Sequence, residues 1–306
     1  MFALAAILAP HIELLADSQL HHRPVVVILL DEFSAGSSQD LEVALAGREL
    51  QVESWAVPSI GRNTLDAIPA IFSGARLLSA RPCTRTAVCG RSRVVDFARM
   101  RVARDDVDIV GTYHRYCAIK GLRSCLSTQG DDLPPFRSFL CALPFRRLME
   151  AQLGCNRKGY AEFGLEVATV VGRELMAAPF WTQGGLLYAH LIAPHPPSSS
   201  GETRLADAYA ANLVQTRDLV LKVVDRLERT PFREDFTMVI TSDHHLRSEV
   251  WCATEPYASH DCELPAAMRS AAVPFIVATR GAAIAHRAPR SNVDLLPIAV
   301  ELARPR

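Results

Sequence analysis

The chain has 306 residues, 49% of them apolar and 22% charged, which excludes intrinsic disorder and suits one large α/β domain or two smaller ones. Lysine plus arginine and aspartate plus glutamate number 33 each. No global field therefore draws the molecule to nucleic acid or to a charged surface, and any anion binding has to come from a local site.

The N-terminal stretch, 1–24, opens apolar but is interrupted by Pro10, His11 and Glu13. It is too short for the roughly 20 apolar residues that cross a bilayer, and it lacks the basic start and cleavage site of a secretory signal. Residues 1–23 are expected to be either the stub of a membrane anchor or a short surface helix. His21, His22 and the later His114 are expected at the surface.

Next comes "VVVILL", Val25 to Leu30, a run typical of a strand covered on both faces. It ends on two adjacent carboxylates, Asp31 and Glu32. They are either a solvated strand end or a place where a strand delivers charge to a cation. In "GRNTLDAIPAIFSG", 61–74, Thr64 stands ahead of a helix that Asp66 can cap, with Pro69 in its first turn, where a missing N–H costs little. Thr64 could equally be only a capping hydroxyl.

The stretch 75–160 is rich in arginine and cysteine and has no clear period, so an irregular or helical insertion is expected. The eight cysteines fall in near pairs, Cys83/Cys89, Cys117/Cys125, Cys141/Cys155 and Cys252/Cys262, without any CxxC. That pattern fits disulfides in an oxidising compartment, with 252/262 and 117/125 the leading candidates.

Further apolar runs, 184–194, 236–244 and 273–281, read as buried strands. The first carries His190, read as a core histidine, and His195. The second ends on Asp243, His244 and His245, with His260 downstream. A Pro/Ser patch around 195–202 reads as a loop. Helices are expected over 203–230, with Leu213, Val214, Leu221, Val224 and Leu227 on its apolar stripe, and over 291–303, capped by Ser291-Asn292. Strands alternating with helices indicate an α/β fold with a largely parallel sheet, whose ligands gather at the carboxyl ends of the strands.

There is no P-loop, no GxGxxG and no HExxH. "EFSAG" lacks the first glycine of a nucleophile elbow, and Cys83 lacks the proline and arginine that a formylglycine sulfatase needs. The remaining constellation is Asp31, Glu32, Thr64, His190, His195, Asp243, His244 and His260. Mixed carboxylate and imidazole donors suit zinc or manganese, whereas an all-oxygen set would suit magnesium or calcium. A hydroxyl beside such a cation loses its proton more readily, which makes Thr64 the candidate nucleophile.

The order Asp-Glu, Thr-x-x-x-Ile-Pro-Ala-Ile-Phe-Ser-Gly, His-x-x-x-Pro-His-x-Pro, Ser-Asp-His, Val-Pro-Phe-Ile-Val and Asp-Leu-Leu-Pro resembles the sulfatase-like branch of the alkaline phosphatase superfamily. Thr64 makes it similar to phosphoethanolamine and phosphoglycerol transferases and lipoteichoic-acid synthases. The resemblance covers most of the chain outside 75–160. It implies a three-layer α/β sandwich with a largely parallel central sheet, formed by a catalytic domain over 24–306. It also implies that Glu32, Thr64, Asp243 and His244 ligate a divalent metal, with Asp31 a further ligand or a support to them. Thr64 would attack a phosphodiester, such as a lipid head group, while His195 and His260 hold the phosphoryl oxygens or protonate the leaving group. Periplasmic or extracytoplasmic, membrane-associated action would follow. Here His245 stands where the family usually has glycine. A sulfuric-ester or phosphodiester hydrolase with water as acceptor, or a non-catalytic binding member, are the alternative readings.

Overall fold

Val25–Asp31 (β1) is the central strand of a seven-stranded sheet. The other strands are Gln51–Pro58 (β2), Val107–Thr112 (β3), Ser124–Thr128 (β4), Leu186–Pro194 (β5), Phe236–Ser242 (β6) and Ala272–Arg280 (β7). Their spatial order is β2-β7-β6-β1-β5-β3-β4. β6, β1, β5, β3 and β4 pair in parallel, and only β7 runs against its neighbours. This computed structural model describes residues 13–14, 23–128, 158–197, 201–254, 257–259, 262–282 and 285–304, with side chains of the helix that opens at Lys158 described from 167 onward.

The alternation of a strand explains the layers. Val25, Val27 and Leu29 point to one face, where they pack with Ile68, Ile71 and Phe72 of Thr64–Ser73 (α2) and Leu295, Ile298 and Leu302 of Leu295–Leu302 (α5). Val26, Ile28 and Leu30 point to the other. There they meet Leu41 and Leu45 of Gln39–Ala46 (α1), Val171 and Leu175 of Lys158–Ala177 (α3), and Val220, Val224 and Leu227 of Leu205–Leu227 (α4). Six consecutive aliphatic side chains at 0% exposure contribute on the order of 10 kcal/mol of gross burial. That burial fixes the strand end that carries Asp31. The result is the expected three-layer α/β sandwich.

Several local expectations change. Asn63, not Asp66, caps α2: its side chain accepts from Asp66 N at 2.9 Å, and Thr64 is the first helical residue. Pro69 consequently lies inside the helix rather than in its first turn. On α4, Val224 and Leu227 are buried but Val214 is 48% exposed, and Tyr209 and Val220 take its place on the inner stripe.

The stretch expected to be irregular or helical carries β3 and β4, and a small antiparallel sheet of Arg81–Pro82, Ala87–Cys89 and Val94–Asp96. Residues 129–157 lie outside the described residues, with Cys141 and Cys155 among them. Disulfides join Cys83 to Cys89, Cys117 to Cys125 and Cys252 to Cys262. Of the N-terminal segment, 1–12 and 15–22 are likewise outside the described residues. Among those described, no helix is long and apolar enough to cross a membrane.

Candidate metal centre

Parallel pairing of β1 with β6 sets Leu30 beside Ser242, so the two carboxyl ends stop together. Asp243 N then donates to Leu30 O at 3.0 Å, which places Asp243 next to Asp31. Ser242 locks this junction: its hydroxyl accepts from Phe33 N at 2.8 Å and faces Leu30 O and His244 O at 2.9 and 2.8 Å. From the opposite side, Asn292 donates to the carbonyls of Ser242 and Asp243 at 2.8 and 2.7 Å and accepts from Ile60 N at 2.7 Å.

Asp31, Asp243 and His244 form one cluster, each offering a ligand atom within 4.8 Å of the others. His244 Nε2 lies 3.5 Å from Asp31 Oδ1 and 3.4 Å from Asp243 Oδ2. Its Nδ1 is 3.0 Å from the carbonyl of His245, which can only accept. That contact puts the proton on Nδ1 and leaves an Nε2 lone pair aimed at the two carboxylates.

Both oxygens of Asp31 and Oδ2 of Asp243 are buried with no hydrogen bond of ordinary geometry. Burial raises the Asp31 pKa well above the usual carboxylate range, Asp243 and Glu32 push it further, and Arg247 and the Thr64 hydroxyl oppose them. Three orphaned anionic oxygens facing one imidazole lone pair are a deficit of positive charge that a divalent cation fills. The donor set fits such an ion, which Asp31, Asp243 and His244 could hold.

Thr64 joins the cluster from above. Its hydroxyl lies 3.4 Å from His244 Nε2, at the N-terminus of α2, where the helix dipole favours negative charge.

Glu32 sits elsewhere. It has φ 63, in the left-handed region that a glutamate rarely adopts, and its carboxylate is taken by Arg247 and Trp251. Arg247 Nε donates to Oε1, and Trp251 Nε1 donates to Oε2 at 2.6 Å. Tyr209 Oη donates to the Glu32 carbonyl at 2.7 Å. The Glu32 carboxylate is thus fully buried and fully paired. Burial works against the Arg247 charge, and Glu32, Asp31 and Asp243 together hold it on.

His195 is buried with its ring edge-on to Trp251, centroids 5.1 Å apart. Burial lowers its pKa, while Glu32 pulls it back up. It flanks the Glu32–Arg247 pair and is not part of the Asp31–Asp243–His244 cluster. His190 is a core residue, as read, with Nδ1 2.8 Å from Tyr116 Oη and 3.1 Å from Thr112 O, yet its buried Nε2 has no partner. His114 is not at the surface: it is buried with Nε2 3.3 Å from the Thr64 carbonyl. His245 is half-buried. His260, His21 and His22 lie outside the described residues.

Arg247, Trp251, Tyr209 and Asn292 are the site residues that sequence reasoning passed over. Arg247 and Trp251 stand four apart, and Trp251 N bonds Arg247 O at 3.1 Å, so one helical turn brings both to Glu32. That spacing, directly after Ser-Asp-His, was the available signal.

No protein-family model and no curated protein sequence matches the chain. Its fold, however, is that of the sulfatase-like proteins of the alkaline phosphatase superfamily. It is similar to a 2-O GAG sulfatase, with a TM-score of 0.52 at 14% identity over 92% of this chain and 70% of that one. It is equally similar to Ps i-CgsB, solved in complex with k-i-k-neocarrahexaose, with a TM-score of 0.52 at 12% identity over 93% and 73%. The lipooligosaccharide phosphoethanolamine transferase EptA from Neisseria meningitidis gives 0.49 at 14% identity, with 95% of this chain against 56% of that one.

Proposed function

We propose that the chain is a metal-dependent enzyme of the sulfatase-like family that moves a phosphoryl-linked group by way of Thr64. The observation that carries this reading is the meeting of three unpartnered carboxylate oxygens and the His244 lone pair beside a hydroxyl at a helix N-terminus. Asp31, Asp243 and His244 would hold a zinc or manganese ion with Thr64 beside it, and the ion would supply positive charge that favours loss of the Thr64 proton.

The chain's own residues do the rest. The Thr64 hydroxyl gives up its proton and its oxygen forms a bond to phosphorus as the bond to the leaving oxygen breaks, and the leaving oxygen takes up one proton, so that no net proton is gained or lost. The α2 N-terminus favours charge on the attacking oxygen. Arg247, fixed by Glu32, brings a second positive charge beside Asp31 and Asp243, suited to the non-bridging oxygens of the substrate. His195 is a candidate to deliver the leaving-group proton from its charged form, which Glu32 favours and burial opposes. His260 keeps the same family-implied role as a proposal. A second oxygen nucleophile, an acceptor hydroxyl or water, then releases the group from Thr64.

The preferred substrate in this reading is a phosphodiester, as in a lipid head group. The threonine favours it, since the Cys-x-Pro-x-Arg signature of formylglycine sulfatases is missing. The three disulfides support an extracytoplasmic setting. Turnover of bis(p-nitrophenyl) phosphate and of p-nitrophenyl sulfate by the full chain tests the reading. It requires diester cleavage that chelation abolishes and zinc or manganese restores. Metal-independent cleavage, or cleavage of the sulfate ester alone, overturns it.

A further inference from the structure

Residues 76–101 break the charge balance of the chain. The segment has seven exposed arginines and one acidic residue, Asp96. Only Arg99 has an ion-pair partner there among the described residues, Asp96 at 3.6 Å.

The small antiparallel sheet organises this charge. Arg81 lies opposite Cys89, and Cys89 opposite Val94, so these three share one face. Val88 and Val95 occupy the other face and join the core. The outward face therefore presents Arg81 together with Val94, which is 55% exposed. At the sheet's end, Gly90 N donates to Arg93 O at 2.7 Å and closes a turn, and Arg91 N donates to Leu78 O at 2.8 Å. That bond brings Leu78, 54% exposed, to the turn that carries Arg91 and Arg93. The Cys83–Cys89 disulfide braces the assembly.

A single exposed aliphatic residue needs no explanation. Two of them, set among guanidinium groups of which only Arg99 meets a carboxylate among the described residues, have a specific complement. Anionic head groups satisfy the arginines, and the boundary with the acyl chains takes the apolar side chains. A soluble polyanion would use the charges and leave Leu78 and Val94 in water.

We propose that the outward face of this sheet and its Gly90–Arg93 turn dock on an anionic lipid bilayer. Ala80 N donates to Asp66 Oδ1 at 3.2 Å, two residues from Thr64, so the docking face is tied to the helix that carries the candidate nucleophile. The docking uses no residue of the metal cluster, so its failure and the failure of the catalytic reading are separate outcomes.

Co-sedimentation of the full chain with phosphatidylcholine vesicles, with and without phosphatidylglycerol, tests it. Binding is expected only with phosphatidylglycerol and should weaken with salt. R91E/R93E should lower the partition coefficient by about 25-fold or more, at about fivefold per arginine removed. L78S/V94S, with every charge intact, should lower vesicle binding severalfold while retention on heparin stays unchanged. All four positions are at the surface, and unchanged thermal melts check that the variants fold. Vesicle binding by R91E/R93E equal to that of the parent overturns the proposal. Vesicle binding unaffected by L78S/V94S overturns it as well, because the surface would then be reading charge alone.

Discussion

The carboxylate of Glu32 belongs to Arg247. The Arg247 Nε donates to one oxygen and Trp251 Nε1 to the other, and the backbone at Glu32 is left-handed. Two adjacent acids at one strand end thus have separate tasks. In the proposed reading Asp31 helps to hold a cation, whereas the Glu32 carboxylate is paired with Arg247. Isothermal titration of zinc should therefore separate them. Asp31→Asn is expected to weaken binding by about 100-fold or more, beyond the roughly 10- to 100-fold that loss of a ligand's supporting partner costs, and Glu32→Gln should stay within a few-fold of the parent.

The same charge deficit makes the metal-free protein less stable than it could be. Asp31→Asn removes the charge shared by two of the three unpartnered carboxylate oxygens without changing volume. In the presence of a chelator the variant should melt above the parent. With zinc or manganese added, the parent should gain several degrees and the variant little, because an ion that binds only the folded state stabilises it by mass action. Scanning calorimetry with and without the ion reads both effects.

Burial lowers the pKa of His190 to about 4, with the nearby Asp243 opposing the shift. Between about pH 6.5 and pH 4 the unfolded chain takes up a proton at this residue and the folded chain does not. Stability should fall as pH falls through that window, by about 1.4 kcal/mol per unit from this group alone. His114, lowered to about 3 for the same reason, acts in the same direction. Urea unfolding across the window should show a shallower pH dependence in His190→Gln.

Asn292 holds the junction from outside the sheet with bonds to Ile60, Ser242 and Asp243. Asn292→Ala strands the Ile60 N–H and leaves the Ser242 carbonyl without its side-chain donor, while the Asp243 carbonyl keeps the Ser59 hydroxyl at 2.6 Å. A loss of about 2–4 kcal/mol is expected in equilibrium denaturation, since leaving a buried polar group unsatisfied costs about 1–3 kcal/mol.

The sheet was legible where burial is continuous. Val25–Leu30, the runs at 184–194 and 236–244, and Val273–Val277 show as strands because both faces are covered. Asp31, Asp243 and His244 were legible for the same reason, as charge placed directly after such runs. β3 was not, because a buried Asp108 interrupts its apolar pattern. Arg123, Ser124 and Phe180 N neutralise and bond that carboxylate from distant points of the chain. The orientation of Glu32 was hidden too, since it depends on one backbone angle and on a partner 215 positions away. The sequence showed two acids; which of them faces the cluster is a tertiary fact. Asn63 displaced Asp66 as the cap because both can accept there, and only the helix start decides between them.

The central claim is that the Thr64 oxygen makes the bond to phosphorus. The direct measurement is turnover of bis(p-nitrophenyl) phosphate by metal-loaded Thr64→Ala, with zinc content checked in the same sample. The account predicts a protein that still folds and still binds zinc through Asp31, Asp243 and His244, but whose turnover falls by about 1,000-fold or more, as loss of a nucleophile does. Zinc-loaded Thr64→Ala that cleaves the diester within tenfold of the parent would contradict it.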